Sequence, residues 1–90
     1  SVYSFMRHSK DKKRNLLFVC NFTPMEWKDY RVGVPRRKQY KLIMNSDDVK
    51  YGGTGKKRPV VYKAVKKECD GRPYSFAYKL PPYGVAIFEF

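Results

Sequence analysis

No stretch of this chain approaches the roughly 20 consecutive apolar residues that a membrane-crossing helix needs, and no signal peptide is visible at its start. Histidine and tryptophan occur once each, as His8 and Trp27. The two cysteines, Cys20 and Cys69, lie far apart and neither has a CxxC partner. With one histidine and scattered cysteines, no metal site and no cofactor site is expected. Two lone cysteines do not make a disulfide framework, so the expectation is free thiols in a reducing compartment, the cytoplasm. Acidic residues are scarce as well: eight Asp and Glu face twenty Lys and Arg, a formal net charge of +12. Such an excess favours nucleic acid, acidic lipid or an acidic protein as partner, and says nothing about fold. The 90 residues allow one domain with one modest core. The chain starts at Ser1 rather than Met, as processing or truncation would produce.

What the chain does have is aromatic residues, 17% of the total and mostly tyrosine, in short runs bounded by Pro, Gly and Asn. That pattern predicts strands. VYSFMRH (2–8) alternates, with Tyr3, Phe5 and Arg7 on one face and Val2, Ser4 and Met6 on the other. A polar turn over 9–15 leads to LLFVCNF (16–22), making a hairpin with a charged tip; Pro24 ends it. DYRVGV (29–34) and KQYKLIMN (38–45) are the next strands, followed by a loop over 46–58. VVYKAVKKECDG (60–71) reads as either a strand or a short helix stopped by Gly71, and its valines favour the strand. PYSFAYKL (73–80) places Tyr74, Phe76, Tyr78 and Leu80 on one side, Pro81-Pro82 breaks it, and YGVAIFEF (83–90) finishes the chain. About seven or eight short strands with regular turns predict an all-β antiparallel sandwich or barrel.

Several strands are apolar on both sides. Leu16, Phe18, Cys20 and Phe22 oppose Leu17 and Val19, while Val85 and Ile87 oppose Ala86, Phe88 and Phe90. Only one face of a sheet can meet the other sheet, and an antiparallel sheet open to water on its far side should be polar there. No amphipathic helix is available to cover the second face. The expectation is a further layer outside these 90 residues.

The stretch YGGTGKKR (51–58) raises the question of phosphate binding. A nucleotide-hydrolase loop needs GxxxxGK and then Ser or Thr, between strand and helix. Aligned on Gly55-Lys56, the sequence puts Lys50 at the first glycine and Lys57 at the hydroxyl, and Pro59 forbids the helix. A tight turn with glycines at positive φ is the simpler reading. The basic clusters 10–14, 36–38, 56–58 and 66–67 fall mostly in turns, not interleaved with aromatics on one strand face, so they read as a solvated surface. Asp47-Asp48 lacks the spaced oxygens of a calcium loop and fits turn capping. Asn21-Phe22-Thr23 matches a glycosylation sequon but sits in an apolar strand before Pro24, and is read as chance. Glu26 and Asp29, the best nearby acidic pair, flank Lys28 in a turn and do not make a catalytic pair. Trp27, Tyr30 and Tyr51 are candidates for stacking on sugar rings, against the commoner role of aromatics in cores and interfaces.

Five segments occur in order: VCNFTP (19–24), YRVGVP (30–35), NSDDVKYGGTG (45–55), GRPYS (71–75) and LPPYGVAIF (80–88). Together they resemble the C-terminal β-domain of 1,4-alpha-glucan (glycogen) branching enzymes of the alpha-amylase family, over essentially the whole chain. The resemblance implies a Greek-key β-sandwich over residues 1–90, packed in the intact enzyme against a (β/α)8 catalytic barrel that this chain lacks. It implies a parent that cleaves α-1,4-glucan and transfers the released chain to a 6-hydroxyl, with both catalytic carboxylates on the barrel, so that no catalytic residue carries over here. The implied partners are the barrel and glucan, with neither nucleic acid nor membrane. A non-catalytic structural domain is the first expectation. A glucan-binding module using Trp27, Tyr30 and Tyr51 is the second, and an independent nucleic-acid binder the third. The heavy positive charge departs from the family pattern and leaves room for an acidic partner.

Overall fold

The computed structural model describes residues 2–11 and 13–90. Ser1 and Lys12, the latter part of the 10–14 basic cluster, lie outside the described residues. Seven strands follow one another: β1 (Val2–His8), β2 (Asn15–Asn21), β3 (Trp27–Val34), β4 (Gln39–Asn45), β5 (Val61–Lys63), β6 (Tyr74–Leu80) and β7 (Val85–Glu89). One turn of 3-10 helix, Val49–Tyr51, interrupts the loop between β4 and β5. The strands form a five-stranded sheet in the order β1-β2-β7-β4-β5 and a two-stranded sheet of β3 and β6, every pairing antiparallel. The chain leaves the larger sheet for β3, returns for β4 and β5, leaves again for β6, and inserts β7 between β2 and β4. This is the Greek-key sandwich that the resemblance implied.

The alternation read from sequence fixes which side chains meet. Leu17 and Val19 of β2, Tyr40 of β4, and Ala86 and Phe88 of β7 point inward and are buried. Val32 and Val34 of β3, with Phe76, Tyr78 and Leu80 of β6, close on them from the smaller sheet. The centre is aromatic: Phe88 meets the rings of Phe76 and Tyr78, each with centroids 5.1 Å away. Tyr62 of β5 packs on both, at 5.4 Å and 5.5 Å. Two buried phenols keep a polar partner, since Tyr40 donates to the Arg36 carbonyl and Tyr78 accepts from Arg58. Buried hydroxyls need such partners.

Residues 60–71 correct the sequence reading. Only Val61–Lys63 pair as a strand, and beyond them the chain makes isolated bridges from Val65 to Ser75 and from Cys69 to Arg72. The reason is that this segment crosses the outer face of the β3–β6 sheet. There Cys69 donates to the Arg31 carbonyl, Arg72 to the Gly33 carbonyl, and the buried Ser75 hydroxyl to the Lys67 carbonyl. Valine's strand preference yields to these tertiary bonds. The outer face of the smaller sheet is thereby covered by this chain at its Arg31, Gly33 and Ser75 end. On the larger sheet Tyr3 and Phe5 stay exposed.

Candidate functional site

The turns divide by strand direction between two ends of the sandwich. The loops 22–26, 46–60 and 81–84 share one end, and they carry the glycine stretch, Pro81-Pro82 and six exposed large apolar residues: Phe22, Met25, Val49, Tyr51, Val60 and Tyr83. The opposite end holds the 9–14 tip, the 35–38 turn and the 64–73 segment, where many of the cations lie.

The glycine loop is organised around a carboxylate of its own. Asp47 accepts from the Thr54 amide at 3.0 Å, the Thr54 hydroxyl at 2.8 Å and Arg58 at 3.0 Å. The Gly52, Gly53 and Gly55 amides bond the Val49, Asp48 and Asp47 carbonyls. The donors a phosphate would need are therefore already engaged, and Asp47 occupies the role of the anion. Gly52 and Gly55 do take positive φ, 79° and 70°. Gly53 is required for another reason: a Cβ there would lie 2.3 Å from the Asp47 carbonyl. Asp48 caps the 3-10 turn by accepting from the Lys50 amide. The capping role expected of these aspartates holds.

The Asp47–Arg58 pair is buried, with 10% and 7% of the side-chain surface exposed. Burial alone would push the Asp47 carboxyl up. The two Thr54 hydrogen bonds and the Arg58 and Lys56 charges outweigh it and hold the group below the ordinary carboxylate range. Arg58 also reaches the Tyr78 hydroxyl and the Lys79 carbonyl, which ties the loop to β6. The sequence reading counted Arg58 only as a surface cation; an arginine one residue before proline at a loop end gave no sign of its burial.

The three candidate sugar-stacking residues do not form one group. Trp27 and Tyr30 touch edge to face at 6.0 Å on β3. Tyr30 is half-buried, and burial, with Asp70 and Cys69 nearby, pushes its phenol up. Tyr51 ends the 3-10 turn, with the Lys50 ammonium 5.2 Å above its ring. Its neighbour across an open cleft of about 290 Å3 is Tyr83, and Ser46, Asp47, Gly52, Gly53, Pro81 and Pro82 line the rest. The sequence reading placed Tyr83 at the start of a strand. It is instead the left-handed residue of the β6–β7 turn, with φ 49° and two-thirds of its surface exposed.

Asn21 of the sequon is fully buried, and its amide donates to the Met25 and Pro81 carbonyls while accepting from Thr23. Reading the motif as chance is consistent with that placement. Both cysteines are free thiols. No group of three or more His, Cys, Asp or Glu among the described residues could hold a metal ion, and none of the described helices is long and apolar enough to cross a membrane. Several acidic side chains serve the scaffold. Glu26 faces Lys79 at 3.7 Å, Glu89 pairs with Arg14 at 2.9 Å, and Asp11 accepts from Ser9.

The largest unexplained feature is the outer face of the five-stranded sheet. Cross-strand registers align Tyr3, Cys20 and Val85 in one row, and Phe5, Phe18, Ile87 and Met44 in the next. Phe5 stacks on Phe18 with centroids 4.8 Å apart, and Tyr3 tilts against Phe22 at 5.7 Å. Tyr3, Phe5 and Phe22 are exposed at 55%, 40% and 61%. The two-sided strands inferred from sequence are present, and the second side is partly exposed: Cys20 is buried and Phe18, Met44, Val85 and Ile87 half-buried, while Tyr3 and Phe5 are exposed.

The chain matches the family described as alpha amylase, C-terminal all-beta domain, over residues 1–90. It is 48% identical over 90 residues to a 1,4-alpha-glucan branching enzyme of Butyrivibrio fibrisolvens, covering 100% of this chain and 14% of that protein. Branching enzymes of Clostridium perfringens and Halothermothrix orenii are 40% and 39% identical over 89 residues, 99% of this chain and 13% and 14% of theirs. The chain thus spans about one seventh of the length of these relatives. By the match along its whole length, it belongs to the alpha amylase C-terminal all-beta domain family, in the form carried by 1,4-alpha-glucan branching enzymes.

Proposed function

We propose that this chain is the non-catalytic C-terminal domain of a longer 1,4-alpha-glucan branching enzyme, whose catalytic barrel packs on the outer face of the five-stranded sheet. The observation that carries the reading is the asymmetry between the sheets. The outer face of the β3–β6 sheet is bonded at Arg31, Gly33 and Ser75 by residues 67–72, whereas the larger sheet presents the Phe5–Phe18–Ile87–Met44 row, with Phe5 40% exposed and Arg7 over its ring. A contiguous apolar patch of aromatic residues in register is what an interior layer requires. The sheet's outward rows thus supply a docking wall, and the domain's role is to shape and stabilise the barrel against it.

The acidic side chains support the absence of catalysis here. Retaining chemistry on glucan needs a carboxylate nucleophile and a carboxylic acid facing each other across a bond. In this chain Asp47 is locked in the glycine loop and Glu26 and Glu89 face basic partners. The glucan substrate and both catalytic carboxylates belong to the longer enzyme under this reading, and its free thiols suit a cytoplasmic setting. Incubation of the 90-residue chain with amylose, followed by iodine absorbance and debranched chain-length analysis, should show no new branches. Measurable turnover by the chain alone would overturn the proposal.

A further inference from the structure

We propose that the cleft between β4 and the returning arm of the glycine loop binds an extended acidic peptide segment of a partner protein, its apolar side chains on one wall and its carboxylates on the other. The cleft measures about 320 Å3. Ile43, Val49 and Val60 line it and are exposed at 44%, 69% and 53%. Lys50, Lys56 and Lys57 line it as well, and among the described residues none of the three makes an ion pair. The fold itself gains little from exposed aliphatic side chains set beside ammonium groups that repel one another.

The cleft exists because β4 outruns its neighbour. β5 pairs with β4 only at Gln39, Tyr40 and Lys41, and the Leu42 amide then bonds the Val60 carbonyl at 2.7 Å. Past Leu42, among the described residues, β4 has no strand beside it on this side, so an extended segment can lie along it. The opposite wall is fixed by Arg58, which bonds the Asp47 carboxylate, the Tyr78 hydroxyl and the Lys79 carbonyl. The loop is closed above it by the Gly55 amide on the Asp47 carbonyl and by Thr54 on the Asp47 carboxylate. Both walls are therefore preformed, which lowers the ordering cost of binding.

One ligand has to satisfy both walls. In an extended segment successive side chains point to opposite sides, so alternating acidic and apolar residues present carboxylates to the lysines and aliphatic groups to Ile43, Val49 and Val60. A phosphate group would use the lysines and leave the apolar wall idle, and the loop amides that would cradle it are bonded internally. The charge of the cleft is not cancelled from within. Arg58 is matched by Asp47, but the three lysines meet only Asp48, whose carboxylate is turned to the Lys50 amide at 3.1 Å. The cleft lies on the β4–β5 side of the larger sheet, at the opposite edge from the Phe5–Phe18 pair.

Fluorescence anisotropy of short labelled peptides with the 90-residue chain tests this, using one peptide that alternates Glu and Leu, one of Glu alone and one that alternates Lys and Leu. The Glu-Leu peptide should bind, most tightly at low salt, and the Lys-Leu peptide should not. Lys50→Glu with Lys57→Glu should weaken binding about tenfold or more, and Val60→Ser about threefold. Lys56 is left in place because its charge acts on Asp47. Lys66→Glu with Lys67→Glu, at the far end of the sandwich, should change binding less than about twofold. Every substituted side chain is exposed, and circular dichroism checks that each variant keeps its fold. No binding of the Glu-Leu peptide at low salt, binding of the Lys-Leu peptide, or equal losses from the two charge-reversed pairs overturns the site. Equal binding of the Glu peptide removes the apolar wall from recognition and overturns the proposal. Full displacement by inorganic phosphate at matched ionic strength assigns the cleft to small anions and overturns it as well. None of these outcomes depends on barrel docking, which the activity and association measurements test separately.

Discussion

Asp47 illustrates how one residue decides between two readings of a loop. The stretch 51–58 looks like an anion cradle, and it is one, but its anion is the carboxylate four residues upstream of Tyr51. Removing it leaves Arg58 charged, buried and short of its partner. Asp47→Ala should therefore destabilise the chain by about 3–5 kcal/mol, whereas a joint Asp47→Leu and Arg58→Met change should cost much less. Urea unfolding of the three proteins measures both. The same carboxyl sets an acid limit. Its folded pKa lies below the unfolded value of about 3.9, so its contribution is complete above that pH and fades as pH falls through the folded value. Unfolding midpoints of the wild type should drop more steeply below about pH 4 than those of the double variant.

At the alkaline end the sign reverses. Burial, with Tyr78 beside it, pushes the Tyr62 phenol up to about 12, against an unfolded value of about 10. The stability linked to Tyr62 is intact below about pH 10 and is lost as pH rises from there through about 12. Tyrosinate absorbance should therefore rise together with loss of β-structure. Tyr62→Phe should make the alkaline loss shallower, and an unchanged profile would count against this packing of Tyr62.

Between elements, the two faces of one sheet carry unequal energies. Phe88, in the aromatic centre, should cost about 3–5 kcal/mol when changed to alanine. Phe5, on the outer face of β1, should cost the isolated chain about 1 kcal/mol or less when changed to serine, because 40% of its surface is exposed. Equal losses by thermal or urea unfolding would contradict the distinction. The strands themselves were legible because period-2 alternation and proline stops are local signals: β1 is bounded as read, and β2, β4 and β6 to within one residue. Residues 60–71 were not, since their path is set by Arg31, Gly33 and Ser75, far away in sequence. That Tyr51 and Tyr83 line one cleft was equally hidden. It arises from two loops brought to one end by the Greek-key order, and Tyr83's left-handed backbone leaves only the following glycine as a trace.

For the whole molecule, the sequence carried the essential inference, that some strands are apolar on both sides, because alternation reveals both faces of a strand at once. Which side would keep exposed rings depended on topology: residues 67–72 bond the outer face of the smaller sheet at Arg31, Gly33 and Ser75, while Tyr3 and Phe5 stay exposed on the larger one. Arg7 shares this face, its guanidinium 5.4 Å from the Phe5 ring centroid, while the basic clusters 36–38 and 66–67 lie at the far end of the sandwich. An open apolar sheet should also make the isolated chain self-associate, which light scattering against concentration would register, and Phe5→Asp with Phe18→Asp should suppress it.

The most direct measurement is sedimentation of this chain mixed with a separately produced branching-enzyme barrel from the same polypeptide. A 1:1 complex should form with the wild type and be lost with the Phe5→Asp, Phe18→Asp double variant that retains its own fold. Failure of the wild type to bind the barrel, or equal binding by the double variant, would contradict the claim that the outer sheet face is a buried layer of a larger enzyme.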